Sequence, residues 1–104
     1  MIEKEYQFSR TNEKTIEKVL LDENLHYLHM VLNRDERLPE HITNANVYMT
    51  VVRGTLSITL NEQEVHEYEA GTLLKIPYRT RMDVRNLHAE TLELFVVKAP
   101  APKD

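Results

Sequence analysis

The sequence predicts an all-β domain whose antiparallel strands form a sandwich or a barrel. Short runs rich in β-branched and aromatic residues recur about every 8–12 residues, with turn signals between them. In one such run Leu56, Ile58 and Leu60 alternate with Thr and Ser, as expected for a strand with one buried face. No convincing helical pattern follows residue 24, so helix should be a minor component.

The first 14 residues predict an arm that orders only by docking onto other parts of the protein. They are polar apart from Ile2, Tyr6 and Phe8, so they offer few contacts of their own. Tyr6 and Phe8 share one face if the arm is extended.

Residues 15–32 predict two strands joined by a tight turn. The apolar spacing from Thr15 fits a helix as well as a strand, but the turn-like residues 22–24 and the β-rich run 25–32 favour the strand pair. Asp35 lies in the polar break that follows. Aspartate is one of the few residues other than glycine that tolerates a left-handed turn.

The clearest pair of strands flanks Gly54, because the β-rich runs 47–53 and 55–60 meet at this glycine, where the chain must reverse or bulge. The last predicted strand covers residues 91–97. Two prolines then end the ladder and predict a flexible C-terminal tail over residues 100–104. Since no internal repeat or linker is visible, residues 15–99 predict one compact domain.

Composition narrows the classes of function. A net charge of −4 argues against nucleic-acid binding, which needs clustered Lys and Arg, and favours a small molecule or a protein as partner. The absence of cysteine excludes disulfides and thiolate metal sites, and it fits a reducing cytosol. The N-terminus is charged and no apolar run approaches the ~20 residues that cross a bilayer. We therefore expect a cytoplasmic protein without a signal peptide or a membrane partner.

A pattern of glycine, proline and asparagine organises residues 71–86. Gly71, Pro77 and Asn86 match the spacing Gly, five residues, Pro, one residue, Gly, two residues, His, three residues, Asn. Arg79 stands at the second glycine of this pattern, and Met82 stands at its histidine. The spacing resembles the second conserved motif of the cupin superfamily, whose histidine binds metal. The resemblance implies an antiparallel jelly-roll (double-stranded β-helix) barrel.

The region before Gly54 is similar to the first cupin motif, which runs Gly, five residues, His-x-His, three or four residues, Glu, six residues, Gly. With its last glycine at Gly54, the motif places Asp35, His41, Thr43 and Val47 at the first glycine, the two histidines and the glutamate. Only His41 keeps a strong metal ligand. The resemblance is to a small single-domain, RmlC-like cupin of the conserved-barrel type with degenerate metal-ligand positions.

The resemblance implies that motif positions on neighbouring strands turn their side chains into the barrel, and strand parity adds three more positions. The predicted pocket residues are His41, Thr43, Val47, Met49, Thr80, Met82 and Val84. One hypothesis is an apolar cavity with an imidazole and two hydroxyls at its rim, which is a common composition of small-ligand sites. The other is a filled core with a structural histidine, because methionine fills irregular space well.

We predict no resident metal or other cofactor. A first-row divalent ion needs three or four ligands, and His41 supplies one. If a metal were held, its ligands would be His41 with His29 or Met82, and the set with methionine suits Cu(I).

Three arginines, Arg79, Arg81 and Arg85, share an outward parity opposite to Met82. They predict either a site for an anion or an acidic partner, or a solvated strand face balanced by neighbouring acidic residues. The solvated face is the commoner outcome.

Three functions remain open, and the sequence leans against an enzyme. The first is a binding, accessory or sensory domain that holds a small, partly apolar molecule without metal chemistry. The second is a cupin enzyme, either a metal-independent isomerase or epimerase or one with an atypical metal site. Such an enzyme needs a base and an acid that converge on the substrate, and His41 is the only credible base. The third is a structural subunit with a filled barrel.

A homodimer is predicted because a small barrel would otherwise leave apolar side chains on its outer surface. The outward-facing set that would form the interface is Tyr48, Val52, Phe95 and Val97. In such a dimer the N-terminal arm could cross to the partner.

Overall fold

The computed structural model describes residues 1–103 as two packed antiparallel sheets, and residue 104 of the predicted tail lies outside the described residues. The nine strands are β1 Thr15–Leu21, β2 His26–Leu32, β3 His41–Ile42, β4 Val47–Arg53, β5 Thr55–Leu60, β6 His66–Glu69, β7 Leu73–Ile76, β8 Arg81–Arg85 and β9 Leu92–Lys98. No helix occurs within residues 1–103. The all-β prediction is confirmed. This part of the chain accordingly contains no helix long and apolar enough to cross a membrane.

Five strands form one sheet in the order β1-β2-β9-β4-β7, and four form the other in the order β3-β8-β5-β6. β1 pairs with β2 from Thr15 opposite Val31 to Leu21 opposite His26, which confirms the two-strand interpretation of residues 15–32. β9 inserts between β2 and β4, so its partners come from distant parts of the chain.

The core lies between the two sheets, and strand alternation decides which side chains enter it. On β4, Val47, Met49 and Val51 are buried, whereas Val52 on the outer face is 45% exposed. Buried apolar residues of both sheets form one cluster: Leu28, Met30, Leu32, Leu38, Val47, Met49, Val51, Leu56, Ile58, Ile76, Met82, Val84, Leu92, Leu94 and Val96.

Two turn positions have the conformations that their residue types favour. Asp35 has a φ of 67°, so the predicted left-handed turn is confirmed. Gly54 has a φ of 80°, next to the register shift between Val51 and Arg53 in the β4–β9 pairing. A left-handed glycine beside a bulge lets the chain turn from one sheet into the other.

Asn86, the last residue of the second motif, has a structural role. Its side-chain amide is buried and donates hydrogen bonds to the carbonyl oxygens of Leu32 at 3.0 Å and Glu90 at 2.9 Å. Its Oδ1 accepts a hydrogen bond from the backbone N–H of His88 at 2.9 Å. One side chain therefore joins the end of β2 to the loop between β8 and β9.

The N-terminal arm docks on the outer face of the five-stranded sheet. The ring of Phe8 lies 4.8 Å from that of His29 and 4.7 Å from that of Phe95. The backbone N–H and the hydroxyl of Ser9 donate to the carboxylate of Glu17 at 2.6 and 2.7 Å. These contacts attach the arm to β1, β2 and β9.

Candidate functional site

The apolar side chains at the motif positions pack together inside the barrel. Val47, Met49 and Val84 are fully buried and Met82 is 3% exposed. All four belong to the single core cluster. They occupy the interior with carbon and sulfur atoms, as in the filled-core hypothesis.

The two threonines of the predicted pocket are buried beside this core, and the backbone engages their hydroxyls. Thr43 Oγ1 donates to the carbonyl oxygen of Pro77 at 2.9 Å and accepts from the N–H of Thr80 at 2.9 Å. Thr80 Oγ1 donates to the same Pro77 carbonyl at 2.8 Å. These bonds hold the turn at residues 77–80 against the segment that precedes β4.

His41 differs from the other six predicted pocket residues, which are all buried. It is exposed on β3, a two-residue strand at the edge of the four-stranded sheet. It pairs with Met82 in register, and its Nδ1 donates to the carbonyl oxygen of Pro39 at 3.0 Å. Because β3 is short and lies at an edge, no further strand within residues 1–103 covers the imidazole.

The residues at the ligand positions of the cupin motifs do not fit a metal ion. The Thr43 hydroxyl is committed to the turn, Val47 and Met82 offer only carbon and a thioether within the core, and His41 faces solvent. Within residues 1–103, no three or more His, Cys, Asp or Glu residues are grouped so that they could hold an ion. The donor set for a first-row divalent ion is therefore incomplete.

An open groove lies at the end of the barrel where three segments of the chain meet. Its walls are residues 42–46, the turn residues Tyr78 and Arg79, and the C-terminal residues 100–103, and its volume is about 860 Å³. The Ala101 N–H donates to the carbonyl oxygen of Asn24 at 3.0 Å. The tail predicted to be flexible thus forms one wall of this groove.

Tyr78 and Arg79 give the groove an aromatic and a cationic side. The Arg79 guanidinium lies 5.4 Å from the centre of the Tyr78 ring, within range of a cation–π contact. A hydrogen bond to Tyr78 raises the pKa of Arg79 above its ordinary value. Arg79 has a φ of 66° at the position where the cupin pattern has glycine. The turn is fixed by the Tyr78 N–H, which donates to Asn46 Oδ1 at 3.0 Å.

Comparison with known proteins identifies the family. No protein-family model matches the chain. An uncharacterised protein of Methanocaldococcus jannaschii is 39% identical over 104 residues, which cover 99% of this chain and 90% of that protein. The crystal structure of that protein, an RmlC-like cupin family protein with a double-stranded β-helix fold, matches with a TM-score of 0.96 at 39% identity, covering 99% of this chain and 95% of that one. The chain belongs to the RmlC-like cupin family.

Two more distant structures share the cupin fold. A cupin superfamily protein of Desulfitobacterium hafniense matches with a TM-score of 0.75 at 11% identity, over 89% of this chain and 83% of its own. A Cupin 2 conserved barrel domain protein of Salinispora arenicola matches with a TM-score of 0.72 at 14% identity, over 88% and 79%. The cupin resemblance and the double-stranded β-helix predicted from the motifs are confirmed.

This cupin also carries a cluster of one histidine and two carboxyl groups that sequence reasoning missed. His29 is fully buried on the outer face of the five-stranded sheet. Its Nδ1 lies 2.7 Å from Glu17 Oε1 and its Nε2 lies 2.6 Å from Glu93 Oε2. Hydrogen bonds from Ser9, together with His29, hold the pKa of Glu17 below its ordinary value. His29 and His41, the pair considered for a metal, lie in different sheets.

Two of the three outward arginines of this cupin form ion pairs on the four-stranded sheet. Arg81 contacts Glu40 at 3.4 Å and Glu62 at 2.9 Å, and Arg85 lies 3.6 Å from Asp83. This arrangement corresponds to a strand face balanced by acidic residues. Arg79 differs from both because it lies in the turn at the groove.

Proposed function

We propose that this cupin is a non-catalytic binding domain that takes a small ligand in the groove at the end of its barrel, without a resident metal. One observation carries the proposal. Of the four positions that the family motifs assign to metal ligands, Val47 and Met82 hold packed apolar side chains and Thr43 is hydrogen-bonded to the backbone, while an open groove lies beside them. Concave sites with apolar walls and a few polar groups are the usual form of small-ligand sites.

A purely structural subunit is the second candidate, and the filled interior favours it. The two candidates differ at the groove. Only a binding domain would show NMR signals of groove residues that shift and then saturate as a ligand is added. An isomerase has less support. Its one credible base, His41, is exposed and hydrogen-bonded to the backbone carbonyl of Pro39, just before β3.

We expect protein purified without chelator or His-tag to contain far less than one equivalent of Zn, Fe, Mn or Ni per chain. The reason is that Thr43, Val47 and Met82 replace the ligands that would complete a shell around His41. Elemental analysis of the protein and of His41→Ala tests this. About one equivalent that is lost in His41→Ala would show that other residues complete the shell. An equivalent that His41→Ala retains would place a resident metal elsewhere, and it too would contradict the metal-free proposal.

We further propose that the domain forms a homodimer through the outer face of the five-stranded sheet. Tyr48 and Val97 pair across β4 and β9 on this face, and both are only partly buried. Phe95 lies on the same face with the Phe8 ring of the docked arm beside it, and Leu73 on the edge strand β7 is 63% exposed. A second copy would cover this apolar surface.

Light scattering at micromolar concentration should therefore give twice the chain mass of 12.3 kDa. Val52→Glu should convert the protein to a monomer, because it places a charge within the proposed interface. Val65→Glu is the matched control, since Val65 has a similar exposure but precedes β6 of the other sheet. A monomeric wild-type protein, or equal effects of the two variants, would contradict this interface.

A further inference from the structure

We infer that the groove binds a small organic anion, with a carboxylate or phosphate held by Arg79 and an apolar body lying along the groove wall. This inference rests on the proposed function, because it names the class of ligand for the same groove. It is carried by the backbone conformation of Arg79, by the charge of the lining and by the apolar side chains nearby.

The backbone of Arg79 has a conformation that is unfavourable for arginine. Its φ of 66° lies in the left-handed region. A residue with a Cβ pays a steric free-energy cost in this conformation, and glycine does not. The cupin pattern has glycine at this position. Strained residues of this kind concentrate at binding sites, where the side chain gives a benefit that offsets the strain.

The lining of the groove carries positive charge. Among the described residues that line the groove, Arg79 and Lys103 are cationic and none is acidic. No carboxylate within residues 1–103 forms an ion pair with Arg79, whereas Arg81 two residues later contacts Glu40 and Glu62. The Arg79 guanidinium thus has the Tyr78 ring as its neighbour. A guanidinium has several N–H donors, so after its hydrogen bond to Tyr78 it still has donors for a planar or tetrahedral oxyanion.

One side of the groove is apolar. Ile42 is 63% exposed and Tyr78 is 53% exposed, and both line the groove. Pro100 and Pro102 line it from the C-terminal segment. These residues would cover the body of a ligand whose charged end lies at Arg79.

The test is an NMR titration of the full chain with three probes: benzoate, phenyl phosphate and the neutral benzamide. We expect at least one of the anions to shift the amide signals of Tyr78, Arg79 and Ala101 saturably. Benzamide should bind at least about tenfold more weakly, which is the effect of losing a charge-assisted hydrogen bond. A response to benzoate alone or to phenyl phosphate alone would assign the ligand as a carboxylate or as a phosphate.

Arg79→Gly separates recognition of the anion from folding. Glycine adopts the same φ without strain, so the variant should unfold at the same or a higher temperature. It should nevertheless bind the anion at least about tenfold more weakly. Arg81→Gln is the matched control, because it removes the same charge from a nearby residue outside the groove lining, and it should bind as the wild type does.

Each other outcome overturns a definite part of the account. If Arg79→Gly and Arg81→Gln weakened anion binding equally, only the general positive charge of the surface would attract the anion, and the inference would be wrong. It would also be wrong if neither anion shifted the amide signals of the groove. Equal binding of benzoate and benzamide would remove anion recognition but leave a binding groove. Shifts confined to the buried methyl groups of Met49 and Met82 would instead contradict the proposed function.

Discussion

Replacing His29 by alanine is expected to lower the free energy of unfolding by about 3–5 kcal/mol, the usual cost of breaking a buried ion pair. Both ring nitrogens of His29 face carboxylate oxygens, at 2.7 Å from Glu17 and 2.6 Å from Glu93. If both carboxylates are ionised they can only accept hydrogen bonds, and the two short contacts then fit a ring that donates from both nitrogens. The substitution leaves two carboxylates around a void beneath Phe8.

Urea denaturation at neutral pH measures this effect. His26→Ala is the matched control, because His26 lies on the same strand but is only partly buried, and it should cost less than about 1 kcal/mol. In His29→Ala the carboxylates of Glu17 and Glu93 would repel each other. Adding Glu17→Gln and Glu93→Gln should recover part of the lost free energy of unfolding, since neutral amides remove this repulsion. A loss below about 1 kcal/mol for His29→Ala would show that the cluster is not ionised as the geometry indicates.

Replacing Gly54 by alanine is expected to cost more than about 4 kcal/mol, or to prevent accumulation of folded protein. An added Cβ would lie 2.4 Å from the carbonyl oxygen of Thr91 and 2.9 Å from the Cα of Leu92. Both contacts are with backbone, which cannot rotate away. The φ of 80° adds the strain of a left-handed alanine.

Gly71 provides the control for conformation alone. It has a φ of 95°, but a Cβ there would meet nothing within 4 Å. Gly71→Ala should therefore cost only about 1–2 kcal/mol. Thermal and urea unfolding of the two variants would isolate the contribution of the contact at Gly54. Equal losses at the two positions would show that the close approach of the β8–β9 loop to Gly54 does not restrict the fold.

Much of the fold could be predicted from the sequence because strand alternation and turn residues act locally. Asp35 and Gly54 have the left-handed conformations that their types and positions predict. Val47 and Met49 point inward as parity requires. The cupin spacing around Asn86 adds the topology, and the buried hydrogen bonds of Asn86 explain physically why the pattern ends on this residue.

The surface features could not be predicted because they depend on contacts between distant residues. His29 meets carboxylates 12 and 64 positions away, and no local pattern indicates that pairing. The cupin motif implies that His41 lies inside with Met82, but an edge strand of two residues leaves its ring exposed. The groove needs the C-terminal segment beside the turn at Arg79, and composition alone predicts a free tail there.

The central claim is that the barrel interior is filled, and xenon binding followed by NMR of methionine methyl groups tests it directly. Xenon enters apolar cavities in folded proteins without needing a polar partner. With wild-type protein, the methyl signals of Met49 and Met82 should not move as xenon pressure rises. Met82→Ala is the positive control, because it opens a cavity in the same core, and in this variant the Met49 signal should shift saturably. Saturable shifts of both methyl signals in the wild type would show an open interior and would contradict the claim.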